Sequence, residues 1–309
     1  MSGKSTIHVI ATGGTISGAG SSATAAAYES GRVEASELVA EVEGLSQVPS
    51  IETENLFATG SENLGPVQWK ILACRIEELT KSRDVDGVVV THGTDTLEEA
   101  SFFLDLVCKP SKPVVLTAAM RPATALSADG PANLYQAILS AASPQLKGHG
   151  ILVVMNGTVI PGWQAIKTDS AALESFCAYP GGIIGRIFGE IMILSGDSFS
   201  SPLSGRFPDH LNKDGKLPLV RVIFLRGGYE EELLEDWIKK DCRGLVIAGF
   251  GAGTFPGTMA NRFTKMENSG CVIVVSSRVP RVMVMSETMT QIESCNACLL
   301  YTSPSPRDS

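Results

Sequence analysis

The chain has 309 residues, 44% of them hydrophobic and 19% charged, a globular composition long enough for about two domains. Its 33 acids against 25 bases leave a net charge of −8, which argues against an electrostatic grip on nucleic acid or an anionic membrane. No uninterrupted apolar run of about 18 residues is present, so no segment is expected to span a bilayer. Taken in chain order, predicted strands lie at 7–11, 87–91, 113–117 and 151–155, then at 220–225, 245–248 and 272–275. They are apolar almost throughout, as parallel strands covered on both faces should be. Predicted helices at 67–79, 97–107, 132–142, 230–239 and 259–267 alternate with them. That alternation indicates βαβ units with right-handed crossovers. The expected fold class is α/β, with a larger N-terminal parallel-sheet domain and a smaller C-terminal α/β domain. A Ser-, Pro- and Gly-rich stretch at 195–217 reads as a linker, so the domains are expected over 1–194 and 218–297.

Residues 1–5 lead straight into the first strand without the apolar segment of a secretory signal, so a cytoplasmic location is expected. Seven scattered cysteines, an odd number, fit a reducing compartment. From Cys298 to Asp308 the sequence reads CLLYTSPSPRD, which matches the translation of a common transposase sequencing adapter residue for residue. On this reading 298–309 is a non-native tail, the natural protein is expected to continue differently after Ala297, and the C-terminal domain is truncated. The CxxC of Cys295 and Cys298 then carries no redox or metal chemistry.

In an open parallel sheet, ligands bind beyond the carboxyl ends of the strands. The first strand runs into Thr12-Gly13-Gly14-Thr15-Ile16-Ser17, a tight turn that offers the Thr15 hydroxyl at the sheet edge. Gly18, Gly20 and Ala23 fit G-x-G-x-x-A but come too late after the strand for a dinucleotide fingerprint. The next strand end carries Thr91-His92-Gly93-Thr94-Asp95-Thr96-Leu97-Glu98-Glu99. Helix capping explains one of Thr94, Asp95 and Thr96, not all three. With four histidines and no G-x-S-x-G, a serine triad is not indicated. After the third strand, Asp129 or Ser127 reads as an N-cap; after the fourth come Met155-Asn156-Gly157-Thr158 and, further on, Lys167.

Together TGGTIS at 12–17, THGTDTLEE at 91–99, AMRPATALSADGPANL at 119–134 and MNGTV at 155–159 strongly resemble the bacterial-type L-asparaginase/glutaminase family, from about residue 7 to about 280. The resemblance implies hydrolysis of the side-chain amide of L-asparagine, with secondary action on L-glutamine, and no metal or organic cofactor. It implies a homotetramer with sites completed across subunits. It makes Thr15 the nucleophile and Tyr28 the loop tyrosine that assists it, carried by a small-residue loop at 17–27 that fits a mobile lid. Thr94, Asp95 and Lys167 match the family's second cluster. A lysine serves as a base only if its pKa falls, and Asp95 opposes that fall, so the proton arrangement stays open.

The substrate is a zwitterion. Glu62 and Asp95 match the groups that take its ammonium, and Ser61 matches a group that takes its carboxylate. The backbone carbonyl of Ala119 matches a contact to its side-chain amide. Glu62, where some relatives carry Gln, is similar to members with more glutaminase activity. Glu287 is the candidate for a glutamate contributed by a neighbouring subunit, although Arg281-Val282-Met283-Val284-Met285 departs from the family's Gly-containing sequence there. Two alternatives stand beside this expectation. One is an ammonia-supplying amidotransferase subunit; the other is a non-catalytic module binding an amino acid or a dinucleotide.

Overall fold

The structure is a computed structural model, and it describes residues 6–24, 27–45, 48, 50–196, 200–208, 217–228, 241–281, 284 and 296–297. The chain divides into two compact units, Met1–Lys213 and Asp214–Ser309.

The first unit is built on an eight-stranded sheet. In chain order its parts are β1 (Thr6–Gly13), a small hairpin of β2 (Ala19–Gly20) and β3 (Tyr28–Glu29), α1 (Ala35–Ala40), β4 (Ser50–Thr59), α2 (Pro66–Lys81), β5 (Gly87–Thr91), α3 (Leu97–Val107), β6 (Val114–Thr117), α4 (Gly130–Ala142), β7 (Ile151–Met155) and β8 (Thr158–Pro161). A second hairpin, β9 (Ala165–Lys167) and β10 (Phe176–Ala178), stands apart from the sheet, and β11 (Gly185–Phe188) and β12 (Ile191–Leu194) complete it. The strand order is β12-β11-β8-β7-β6-β5-β1-β4.

Strands β4, β1, β5, β6 and β7 run parallel, as the apolar runs predict. The sheet is then extended by antiparallel β8, β11 and β12, which the expectation of a parallel sheet did not include. The reason is the short turn at Asn156-Gly157, both at positive φ, which folds the chain straight back after β7. No crossover helix intervenes, so the next strand must be antiparallel.

Every residue of β1, β5, β6 and β7 is buried. Alternate side chains feed two cores. Val88, Val90, Val114 and Leu116 pack against Leu72 and Ile76 of α2 and Leu104 of α3. Val89, Val115, Leu152 and Val154 pack on the other face against Leu134 and Ile138 of α4. Each such side chain contributes about 1.5–3 kcal/mol by leaving water, which is why this part of the sheet is rigid enough to carry a site. Part of the stretch expected as a linker is packed as well. Leu203 is buried, Ser204 donates its hydroxyl to Cys108 O at 3.1 Å, and Gly205 N–H donates to Asp105 O at 2.9 Å.

The second unit has β13 (Val220–Phe224), β14 (Gly244–Gly249), α5 (Ala260–Asn268), β15 (Val272–Ser277) and β16 (Asn296–Ala297). Its strands pair in that order, all parallel. Leu245, Ile247, Ile273 and Val275 pack on Met259, Phe263 and Met266. The helix expected at 230–239, Glu287 and the tail at 298–309 lie outside the described residues.

Candidate active site

Strand β1 pairs with β4 on one side and β5 on the other, so the chain leaves β1 for one edge and returns across it. A sheet opens a crevice at such a reversal, beyond the carboxyl ends of its strands. The residues singled out from sequence gather there. Thr15 follows β1, Ser61 and Glu62 follow β4, Thr94 and Asp95 follow β5, and Ala119 follows β6.

Backbone contact holds three of these strand ends together. Gly14 lies at φ 81°, and a methyl group on it would sit 2.4 Å from the Gly93 Cα. A methyl group on Gly93 would in turn sit 2.6 Å from the Ser61 Oγ. Only glycine permits both approaches. The Thr96 hydroxyl then donates to Ser61 O at 2.9 Å, and Gly14 N–H donates to Thr59 O at 2.9 Å.

On this frame the Thr15 and Thr94 hydroxyls each pair with a different partner. The Thr15 Oγ1 lies 2.6 Å from the Tyr28 phenolic oxygen, a short hydroxyl–hydroxyl hydrogen bond. Tyr28 reaches it from the β2–β3 hairpin, where Gly20 pairs with Tyr28. The lid-like loop is tied down at its ends. Arg32 and Val33 N–H groups donate to Ser17 O, and Gly20 N–H donates to the Thr124 hydroxyl at 2.8 Å. Thr15 is buried and Tyr28 is 40% exposed, so the tyrosine lies on the solvent side of the pair.

The second pair centres on Lys167, at the end of β9. Its Nζ donates to Thr94 Oγ1 at 2.9 Å and to Asp95 Oδ1 at 2.6 Å. Its backbone N–H donates to Glu98 Oε2 at 2.5 Å. Thr94, Asp95 and Glu98 thus bind one lysine from one chain segment, and the expected capping of α3 does not occur. The N-cap of α3 is Thr96, whose side chain makes no cap bond. His92, next to this segment, is fully buried and donates through Nδ1 to Gly93 O at 2.8 Å. Burial pushes its pKa down to about 4, only partly opposed by that bond. Its imidazole is therefore neutral near pH 7 and packed in the interior.

Ala119 is buried beside the Thr15 loop. Gly130 comes so close to both that a methyl group on it would sit 3.1 Å from Ile16 Cγ1 and 3.6 Å from the Ala119 Cβ. Glu62 is exposed at the rim, where it accepts a 3.1 Å bond from Asn63. The structure therefore brings Thr15 to Tyr28, and Lys167 to Thr94 and Asp95. Glu287 lies outside the described residues.

Sequence reading missed three contributors. Asp129 does occupy the N-cap of α4, but it makes no side-chain cap bond. Its carboxylate instead accepts Met120 N–H at 3.0 Å and Arg121 N–H at 2.9 Å. Asn133, one helical turn on, donates to Ala118 O at 2.9 Å and to Asp129 at 3.1 Å. Glu98 anchors Lys167. The i, i+4 spacing of Asp129 and Asn133 at the start of a helix was the available signal.

Family models match both units. "Asparaginase, N-terminal" covers residues 6–198 and "Glutaminase/Asparaginase C-terminal domain" covers 219–300. The chain is 38% identical to the Haemophilus influenzae protein named "Probable L-asparaginase periplasmic", over 89% of this chain and 78% of that one. It is 34% identical to the glutaminase-asparaginase of Pseudomonas fluorescens, over 88% and 75%. Among solved structures it resembles the "Probable Cytoplasmic L-asparaginase" of Campylobacter jejuni, with a TM-score of 0.85 and 30% identity over 94% of this chain and 89% of that one.

Proposed function

The chain belongs to the bacterial-type L-asparaginase/glutaminase family, and from that premise we propose that it hydrolyses L-asparagine to L-aspartate and ammonia, and L-glutamine more slowly, with Thr15 as nucleophile. The observation that carries this reading is the 2.6 Å hydrogen bond between the buried Thr15 hydroxyl and Tyr28. A carboxamide is a poor electrophile and an alcohol a poor nucleophile, so a partner must take the alcohol's proton as the bond forms. Tyr28 is the group within reach.

In the first half-reaction Thr15 Oγ1 bonds to the amide carbon, its proton passes to the Tyr28 oxygen while the Tyr28 phenolic proton moves on to the leaving nitrogen, and the C–N bond breaks to release ammonia. Water then adds to the acyl–threonine ester, one of its protons returns to Thr15 Oγ1 as the C–O bond breaks, and the acid is released. Thr94, whose hydroxyl accepts from Lys167 Nζ at 2.9 Å, is the group assigned to relay the proton of the incoming water. Asp95 and Glu62 take the substrate's ammonium, Ser61 takes its carboxylate, and the Ala119 carbonyl accepts from the substrate's amide NH₂. Glu287 completes the site from a neighbouring subunit of a homotetramer. Among the described residues no helix is long and apolar enough to cross a membrane. The relatives carry both periplasmic and cytoplasmic names, and a cytoplasmic location is our reading for this chain.

Mass spectrometry of protein quenched during turnover tests the nucleophile. An aspartyl adduct on the peptide containing Thr15 is expected. An adduct on the peptide containing Thr94 would reassign the role.

A further inference from the structure

A trans peptide is planar, so the direction of its N–H fixes the opposite direction for its C=O. The peptide joining Ala119 to Met120 owns the Ala119 carbonyl and the Met120 N–H. That N–H donates to Asp129 Oδ2 at 3.0 Å, and the next one, on Arg121, donates to Oδ1 at 2.9 Å. On the other side, Ala118 O accepts from Asn133 Nδ2 at 2.9 Å, and the same nitrogen donates to Asp129 at 3.1 Å. Asn133 is itself fixed, because its Oδ1 accepts the Asn156 N–H at 2.9 Å beyond the end of β7. The backbone groups flanking the Ala119 carbonyl are thus clamped, and the carbonyl is turned away from the carboxylate.

We propose that Asp129, braced by Asn133, is a positioning residue that sets amide specificity: it holds the Ala119–Met120 peptide in the one orientation that presents the Ala119 carbonyl to the substrate's carboxamide NH₂. This rests on the proposed amidase function and adds to it a determinant of the leaving group. A carboxylate accepting the N–H also draws electron density toward the carbonyl oxygen, which makes it a better acceptor. An acceptor at that place selects for NH₂ and against the oxygens of a carboxylate or an ester, because only the amide nitrogen can donate to it. Asp129 does not touch the substrate; it acts through the peptide.

The test compares L-asparagine with L-aspartate β-methyl ester, which keeps every other contact and lacks the N–H. In Asp129→Asn, one of the two backbone N–H groups faces an NH₂ and loses its acceptor. The ratio of kcat/KM for amide over ester is expected to fall about tenfold or more, in protein whose thermal unfolding remains cooperative. Amide and ester rates that fall together, or do not fall, overturn the proposal. If Asp129→Asn does not fold, Asn133→Ala decides the matter by the same ratio, since it loosens the clamp while leaving the carboxylate in place. Wild-type protein that cleaves neither compound overturns the amidase reading itself, a result distinct from an unchanged ratio in an active enzyme.

Discussion

Lys167 is held at three points by a single segment, through Thr94, Asp95 and Glu98. Its side chain is 17% exposed while Asp95 is 66% exposed, so the ion pair is partly screened and the lysine is the better protected partner. Replacing Lys167 by Met keeps the length and removes the ammonium. Steady-state ammonia assays should show kcat reduced by about 10²–10⁴-fold, the range for loss of a proton-transfer group. A KM change with kcat intact would instead make Lys167 a binding residue.

Two buried groups at the residue scale contribute to the acid response with opposite signs. Burial raises the Asp105 pKa from 3.8 to about 6, against the opposing bonds from Ser201 and Ile151 N–H. Burial lowers the His92 pKa from 6.5 to about 4. Asp105 binds its proton more tightly folded than unfolded, so its contribution to stability grows as pH falls from about 6 to about 4. His92 binds its proton more weakly folded, so its contribution is lost as pH falls from about 6.5 to about 4. Each is worth about 3 kcal/mol at roughly 1.4 kcal/mol per pKa unit, and the two nearly cancel. Asp105→Asn removes one side of the balance. Denaturant titrations should show the variant losing about 3 kcal/mol more than wild type between pH 6.5 and pH 4. Parallel pH curves for the two proteins would contradict this.

At the scale of elements, the site depends on strand ends that touch through backbone. Gly93→Ala puts a methyl group where the Ser61 side chain lies, 2.6 Å away. Overpacking of this kind costs about 1–3 kcal/mol. It should also push Ser61 off position, so a lower melting temperature should come with a raised KM. A variant as stable and active as wild type would show that the contact is not needed.

The same elements show what a sequence reveals. Strands β5 and β7 and helix α3 were legible to the residue, because an apolar run bounded by polar turns has one reading. β4, Ser-Ile-Glu-Thr-Glu-Asn-Leu-Phe-Ala-Thr, was not. It lies at the sheet edge, where Glu54 meets Arg75 at 2.9 Å and His8 at 3.5 Å, and its polar side chains hide its strand character. In the candidate site, motifs pointed to Thr15, Thr94 and Ala119, which follow β1, β5 and β6. The clamp by Asp129 stayed hidden, since N-cap chemistry is the default for such a residue and only the fold returns residues 120 and 121 to it.

For the whole molecule, each unit has its own sheet and core, mixed in the first unit and parallel in the second. The Thr15–Tyr28 and Lys167–Thr94–Asp95 groups belong to the first unit. A chain of net charge −8 offers no general attraction to polyanions. The central claim is that a threonine at the end of the first strand turns this pocket into an amidase. The most direct measurement is ammonia release from L-asparagine and L-glutamine by the wild-type chain and by Thr15→Ala. The account predicts release from both substrates, faster from asparagine, and a loss of at least about 10³-fold in folded Thr15→Ala. Undiminished release from the variant, or no release from folded wild type, would contradict it.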